Sequence, residues 1–170
     1  MFVRIVKPTI VAIMCLMAQV AQAQTLTTKQ ISELLVAQNR YRIEVAEQPL
    51  FWSNTLAGGA QEWAEHLAGE VHSLQHSHLP GLGENLAMWT AGRATLTKLV
   101  DLWGAEKYYF IDSTFPDVST TGDWKTVGHY TQMIWRSTTE VGCGMASGGG
   151  YDYLVCRYTP QGNFMGERVF

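Results

Sequence analysis

The 170-residue chain has little cysteine, little proline and little positive charge: three Cys, five Pro, and 12 Lys and Arg against 15 Asp and Glu. Each shortage excludes something. No Lys/Arg cluster follows the extreme N-terminus, so the positive surface that nucleic-acid phosphates require is missing. No later stretch approaches the roughly 20 apolar residues of a membrane-spanning helix. Two widely spaced cysteines, Cys143 and Cys156, cannot build a cysteine-based zinc site. Named catalytic signatures are absent too. There is no His-Glu-x-x-His, and His66 to Glu70 has the wrong spacing for either zincin form; there is no Gly-x-Ser-x-Gly elbow, P-loop or dinucleotide fingerprint.

The first 23 residues read as a secretory leader. Arg4 and Lys7 supply a positive start, Thr9 to Val20 an apolar run, and Ala21-Gln22-Ala23 the small-x-small cleavage pattern. Cys15 follows Met14, which is not the small residue a lipid-anchored leader would show. Cleavage after Ala23 leaves residues 24–170 as one domain, with ten basic and fifteen acidic residues, net −5. The two cysteines left in an exported chain read as one disulfide, the alternative being two buried thiols. The expected location is secreted or periplasmic.

Periodicity places a helix from Thr28, with Ile31, Leu34, Leu35, Gln38 and Tyr41 in one stripe and Pro49 beyond its end. A second follows a Ser53 or Asn54 cap and carries Leu56, Ala60, Trp63, Ala64 and Leu67 up to Gly69. Residues 71–83 form a histidine- and glycine-rich loop. A third helix is expected over 93–110, with Leu96, Leu99, Val100, Trp103 and Tyr108 inward. Residues 111–126 are irregular, a length that marks a functional rim more often than filler. Val141 to Ala146 and Tyr151 to Tyr158 flank a Ser-Gly-Gly-Gly turn and read as a hairpin able to carry a Cys143–Cys156 bridge, worth roughly 3 kcal/mol. Helices first and strands last make the class α+β.

Five histidines remain after the leader: His66, His72, His76, His78 and His129. Three of them fall just ahead of Gly83-Glu84-Asn85, a pattern suited to metal or acid–base chemistry as well as to structural hydrogen bonding. His66 stands four residues after Glu62, the spacing of a helical surface pair. Glu84 and Glu106 are carboxylates in apolar surroundings, which need partners if buried. Periodicity alone does not bring these side chains together.

Several longer segments carry a resemblance. Gly128-His129-Tyr130-Thr131-Gln132-Met133-Ile134-Trp135, with Val141-Gly142-Cys143-Gly144, resembles the first signature of the CAP superfamily of cysteine-rich secretory, antigen-five and pathogenesis-related class 1 proteins. Val155-Cys156-Arg157-Tyr158 resembles its second signature, Gly83-Glu84-Asn85-Leu86-Ala87 its central motif, and Gln38-Asn39-Arg40-Tyr41-Arg42 its opening helix. The resemblance implies a three-layer α-β-α sandwich with a mixed, mainly antiparallel central sheet. It implies a cleft lined by His76, Glu84, Glu106 and His129, with His78 as a competitor for the place of His76, and a Cys143–Cys156 disulfide. Extra disulfides common in eukaryotic members are missing, so the expected form is a pared-down bacterial one.

Such a cleft suits a divalent metal, with zinc first in line, because two neutral imidazoles bind it and leave positions for water. The resemblance implies a binding or interaction module whose ligand is a sterol, another lipid, a small molecule or a protein partner. A metal-assisted or Glu/His-based hydrolase using Glu84, Glu106 and His129 is the alternative. A third reading leaves the tetrad structural and lets residues 111–126 act. For a lipid, Met88, Trp89, Tyr108, Tyr109, Phe110 and Phe115 are the expected apolar groove.

Overall fold

The computed structural model describes residues 25–170; the expected leader over residues 1–23 lies outside them. Helix α1, Thr28–Glu44, starts at a capping box: the Thr27 side chain accepts from the Gln30 N–H and the Gln30 side chain accepts from the Thr27 N–H. Its buried face holds the expected Leu34, Gln38 and Tyr41, with Ala37 and, less foreseeably, Arg42. Strand β1 is only Phe51–Trp52, and α2 runs Asn54–His66 before a π turn over Leu67–Val71. Strand β2 spans Gly83–Thr90, α3 Leu96–Gly104, α4 Gly128–Ile134, β3 Glu140–Gly148 and β4 Tyr151–Thr159.

The four strands lie in the order β1-β3-β4-β2, with β1 parallel to β3 and the other pairs antiparallel. Helix α2 covers one face, where Ala60, Ala64 and Leu67 pack on Leu86, Tyr153 and Val155. Helices α1, α3 and α4 cover the other, burying Leu34, Val100, Trp103 and Met133 against Leu154, Cys156 and Tyr158. This is the expected α-β-α sandwich. Cys143 and Cys156 face each other in the β3–β4 register and are disulfide-bonded, with Cα atoms 4.1 Å apart.

Glycines on β3 set how closely α2 approaches. A Cβ on Gly142 would stand 2.2 Å from the Ala57 nitrogen, and one on Gly144 2.3 Å from the Gln61 Cα. The Gln61 carboxamide then donates to the Met145 carbonyl and accepts its N–H, both at 3.0 Å, satisfying an edge that the short β1 leaves unpaired.

Two expectations need correction, for the third helix and for His66, and two stretches, 83–90 and the irregular 111–126, gain detail. Residues 83–90 form a strand that no alternation announces, because most of it is buried on both faces. The third helix begins at Leu96 and tightens after Gly104 into a 3-10 turn, Ala105–Tyr109; that change of pitch leaves Tyr108 81% exposed instead of inward. His66 pairs at 3.0 Å with Glu70 in the π turn, not with Glu62. Residues 111–126 are tied down by bridges from Phe110 to Ser119 and from Thr114 to Arg168, with Phe115 and Val118 buried.

The β3 contact yields a prediction. Gly144→Ala should cost about 1–3 kcal/mol, since only backbone movement relieves the clash. Gly58→Ala, in the facing helix α2 with nothing within 4 Å of the new Cβ, should gain up to about 1 kcal/mol. Urea unfolding of both variants against the parent chain measures the difference.

Candidate functional site

Helix α4 has seven residues, too few to hold together unaided, and it is gripped at both ends. Glu106, on the 3-10 turn after α3, accepts the His129 and Tyr130 N–H groups on Oε2, at 2.9 and 3.0 Å. Its Oε1 lies 2.6 Å from His129 Nδ1. A carboxylate there also faces the positive end of the helix dipole. At the other end, the buried Arg42 guanidinium donates to the carbonyls of Met133, Trp135 and Thr138 at 3.0, 2.8 and 3.1 Å. Burial depresses the Arg42 pKa, and the nearby Glu47 and Tyr158 oppose that shift. Trp103 stacks beside the His129 ring, with planes 18° apart and centroids 6.2 Å apart, while its Nε1 donates to the Leu86 carbonyl.

The second pair forms where β2 begins. Glu84 stands opposite Arg157 in the β2–β4 register, and Arg157 Nε lies 3.3 Å from its Oε2. The Ser77 N–H donates to Oε1 at 2.8 Å, the Ser77 hydroxyl to Oε2 at 2.6 Å, and His76 Nδ1 lies 3.0 Å from Oε1. Burial pushes the Glu84 carboxyl upward. The hydrogen bonds from His76 and Ser77, and the His76 charge, outweigh it and hold the group at about 2.

His76, Glu84 and His129 line one open cavity of about 470 Å³, with His78, Leu79, Leu82, Trp124 and Lys125 around them. The side chains of His76 and His129 are 48% and 33% exposed, those of Glu84 and Glu106 only 8% and 19%. The rings stand in front and the carboxylates behind. Glu106 is not among the lining residues. Among the described residues, no three His, Cys, Asp or Glu side chains converge as a metal-sized cluster. The four expected residues therefore arrange as two carboxylate–imidazole pairs rather than one shell of four ligands, and among the described residues nothing hydrogen-bonds Nε2 of either ring.

A buried polar chain supports the site and was not foreseen. Gln38 Nε2 lies 3.8 Å from both disulfide sulfurs, and its Oε1 accepts from the Tyr158 hydroxyl at 2.7 Å. Asn85 donates to that hydroxyl at 3.2 Å and to the His129 carbonyl at 3.0 Å. Burial raises the Tyr158 pKa, so the phenol stays a donor. Patterning places Gln38 in the α1 stripe and Tyr158 in the hairpin, but their role here, like that of Asn85, has no signal beyond membership of the signature segments. The expected aromatic groove does not line the cleft. Phe115 is in the core, where it packs on Trp124 and Trp135, and Tyr108 and Tyr109 pack edge to face elsewhere on the surface. Trp124, Leu79 and Leu82 form the apolar wall instead.

The depressed Glu84 carboxyl makes stability depend on acid. A folded value of about 2 against an ordinary 4.5 contributes roughly 3 kcal/mol at neutral pH, fully present above the ordinary range and lost as pH falls towards 2. Glu84→Gln should lower stability at neutral pH and flatten its fall in acid, measured by urea unfolding at a series of pH values.

The model of the CAP, or cysteine-rich secretory protein, family matches residues 35–158. Pathogenesis-related protein 1A of Nicotiana tabacum is 37% identical over 140 residues, 81% of this chain and 79% of that protein. A PR-1-type pathogenesis-related protein of Sambucus nigra is 32% identical over 161 residues, 94% and 93% of the two chains. Venom allergen 5.02 of Dolichovespula maculata is 35% identical over 130 residues, 71% of this chain and 59% of that protein. The crystal structure of NaASP2 with Zn2+ has the same fold, with a TM-score of 0.73 and 23% identity over 88% of each chain. These sequence relatives are plant and wasp proteins, so the expectation of a bacterial form finds no support in them. With fold, signature segments and matched span in agreement, the chain belongs to the CAP family of cysteine-rich secretory proteins.

Proposed function

We propose that the chain is a secreted binding module whose cleft holds a divalent metal, zinc first, between His76 and His129. The observation that carries this is the commitment of both Nδ1 atoms to carboxylates, at 3.0 and 2.6 Å, on rings that line one cavity. A carboxylate on Nδ1 fixes the tautomer, orients the ring and strengthens Nε2 as a donor, the usual support of a zinc-binding histidine. Glu84 and Glu106 act behind the metal, not on it. Bound there, the metal would supply a Lewis-acidic position for a ligand oxygen or water. Trp124, Leu79 and Leu82 offer the apolar part of a lipid or other amphiphile a wall to lie against.

Export is supported by the leader-like residues 1–23, by the disulfide and by the family. Among the described residues no helix is long and apolar enough to cross a membrane. The hydrolase reading has less behind it: both glutamates have their oxygens engaged by main-chain N–H groups, hydroxyl or imidazole, so neither is a free general base.

Calorimetric titration of zinc into residues 24–170 should give saturable binding that the His76→Ala/His129→Ala variant loses. Equal heats from both chains would remove the metal. Glu106→Gln should weaken zinc by about 10–100-fold while the fold persists, as loss of an orienting partner does elsewhere.

A further inference from the structure

The cleft is not the molecule's only cavity. Strand β1 pairs with Glu140 and Val141 of β3 and goes no further. Beyond Trp52, among the described residues, the β3 edge has no strand beside it, and a groove of about 370 Å³ opens there between the start of α1 and helix α2. That volume is ordinary for a small-molecule pocket. The groove shares no lining residue with the cleft. Leu26, Ile31 and Trp52 make its apolar wall, and Glu62 and Glu65 stand on the α2 side.

A peptide strand does not suit this groove. Strand addition needs the free main-chain groups of an edge, and Gln61 occupies both of those on Met145, at 3.0 Å. Charge identifies the better occupant. No Lys, Arg or His lines the groove, and among the described residues neither Glu62 nor Glu65 is in an ion pair. Trp52 Nε1 donates to Asn54 Oδ1 at 3.1 Å, which steadies the indole. An aromatic ring and carboxylates together recognise an organic cation, the ring through its electron-rich face and the carboxylates through their charge. A bare metal ion wants oxygen ligands and makes no use of three apolar side chains.

We propose that this groove is a second binding site, for an organic cation: an amine or quaternary ammonium that carries a short apolar body. The ammonium lies between Trp52 and the two glutamates, and the apolar body lies against Leu26 and Ile31. The site stands apart from the cleft and its metal, and neither requires the other.

The test titrates hexyltrimethylammonium into residues 24–170, with hexanoate as the control of opposite charge, and follows proton–nitrogen correlation spectra. The cation should give saturable shifts at Leu26, Ile31, Gly58 and the Trp52 indole while His76 and His129 stay unmoved, and hexanoate should give none. Glu62→Gln/Glu65→Gln keeps the size of both side chains; it should weaken the cation by about ten-fold or more and leave the urea midpoint unchanged. The parent chain's preference for the cation over hexanoate decides the case even where the double variant unfolds early. No saturable shift in the groove, equal binding of hexanoate, or equal binding by a folded double variant would each overturn the site. Shifts there that follow protein concentration without any probe would place a second copy in the groove and overturn it too.

Discussion

The His76 and His129 imidazoles are each fixed by a carboxylate that is itself fixed by main chain, and this constraint organises the rest of the site. Glu106 would be a mobile acid on a short turn if the His129 and Tyr130 N–H groups in the first turn of α4 did not donate to it. Having capped the helix, it has one oxygen left, and that oxygen meets the ring of the first capped residue. Glu84 repeats the arrangement from the other side, with the N–H and hydroxyl of Ser77 in place of the helix end. Removing either carboxylate therefore undoes local backbone structure and a ring orientation together.

These pairs need a rigid frame, because α4 and the loop ahead of β2 have little stability of their own. Arg42 supplies part of it. A guanidinium 1% exposed is tolerable only because main-chain carbonyls satisfy it, three of them at the end of α4 and just beyond. The Gln38–Tyr158–Asn85 chain supplies more, linking α1, the disulfide, the sheet and the His129 carbonyl. Partial satisfaction of such a network costs more than an apolar core would, so its members change together or not at all. The disulfide holds β3 to β4 at the centre of this network, where Gln38 rests on both sulfurs.

Much of the fold was legible in residue patterning. The stripes of α1 and α2 and the hairpin follow from the spacing of apolar and small residues, and the cysteine pair from an even count in a chain read as exported. Strand β2 did not, since a strand buried on both faces has no alternation, and Glu84 and Asn85 interrupt even its hydrophobic run. Arg42 and Asn85 were opaque for a related reason: a buried polar residue is defined by partners dozens of positions away, as Met133 is for Arg42 and His129 for Asn85. The four cleft residues were named through resemblance, not through spacing. Their division into two pairs, with carboxylates behind and rings in front, depends on distances that only the assembled sandwich sets.

The most direct test of the paired-ring account is anomalous diffraction at the zinc edge from crystals of residues 24–170 soaked in zinc. The account requires a peak about 2.0–2.1 Å from Nε2 of both His76 and His129, with the Nδ1–carboxylate contacts retained. A peak on the glutamate oxygens with those contacts broken, or no peak in the cleft while the rings keep their places, would contradict it.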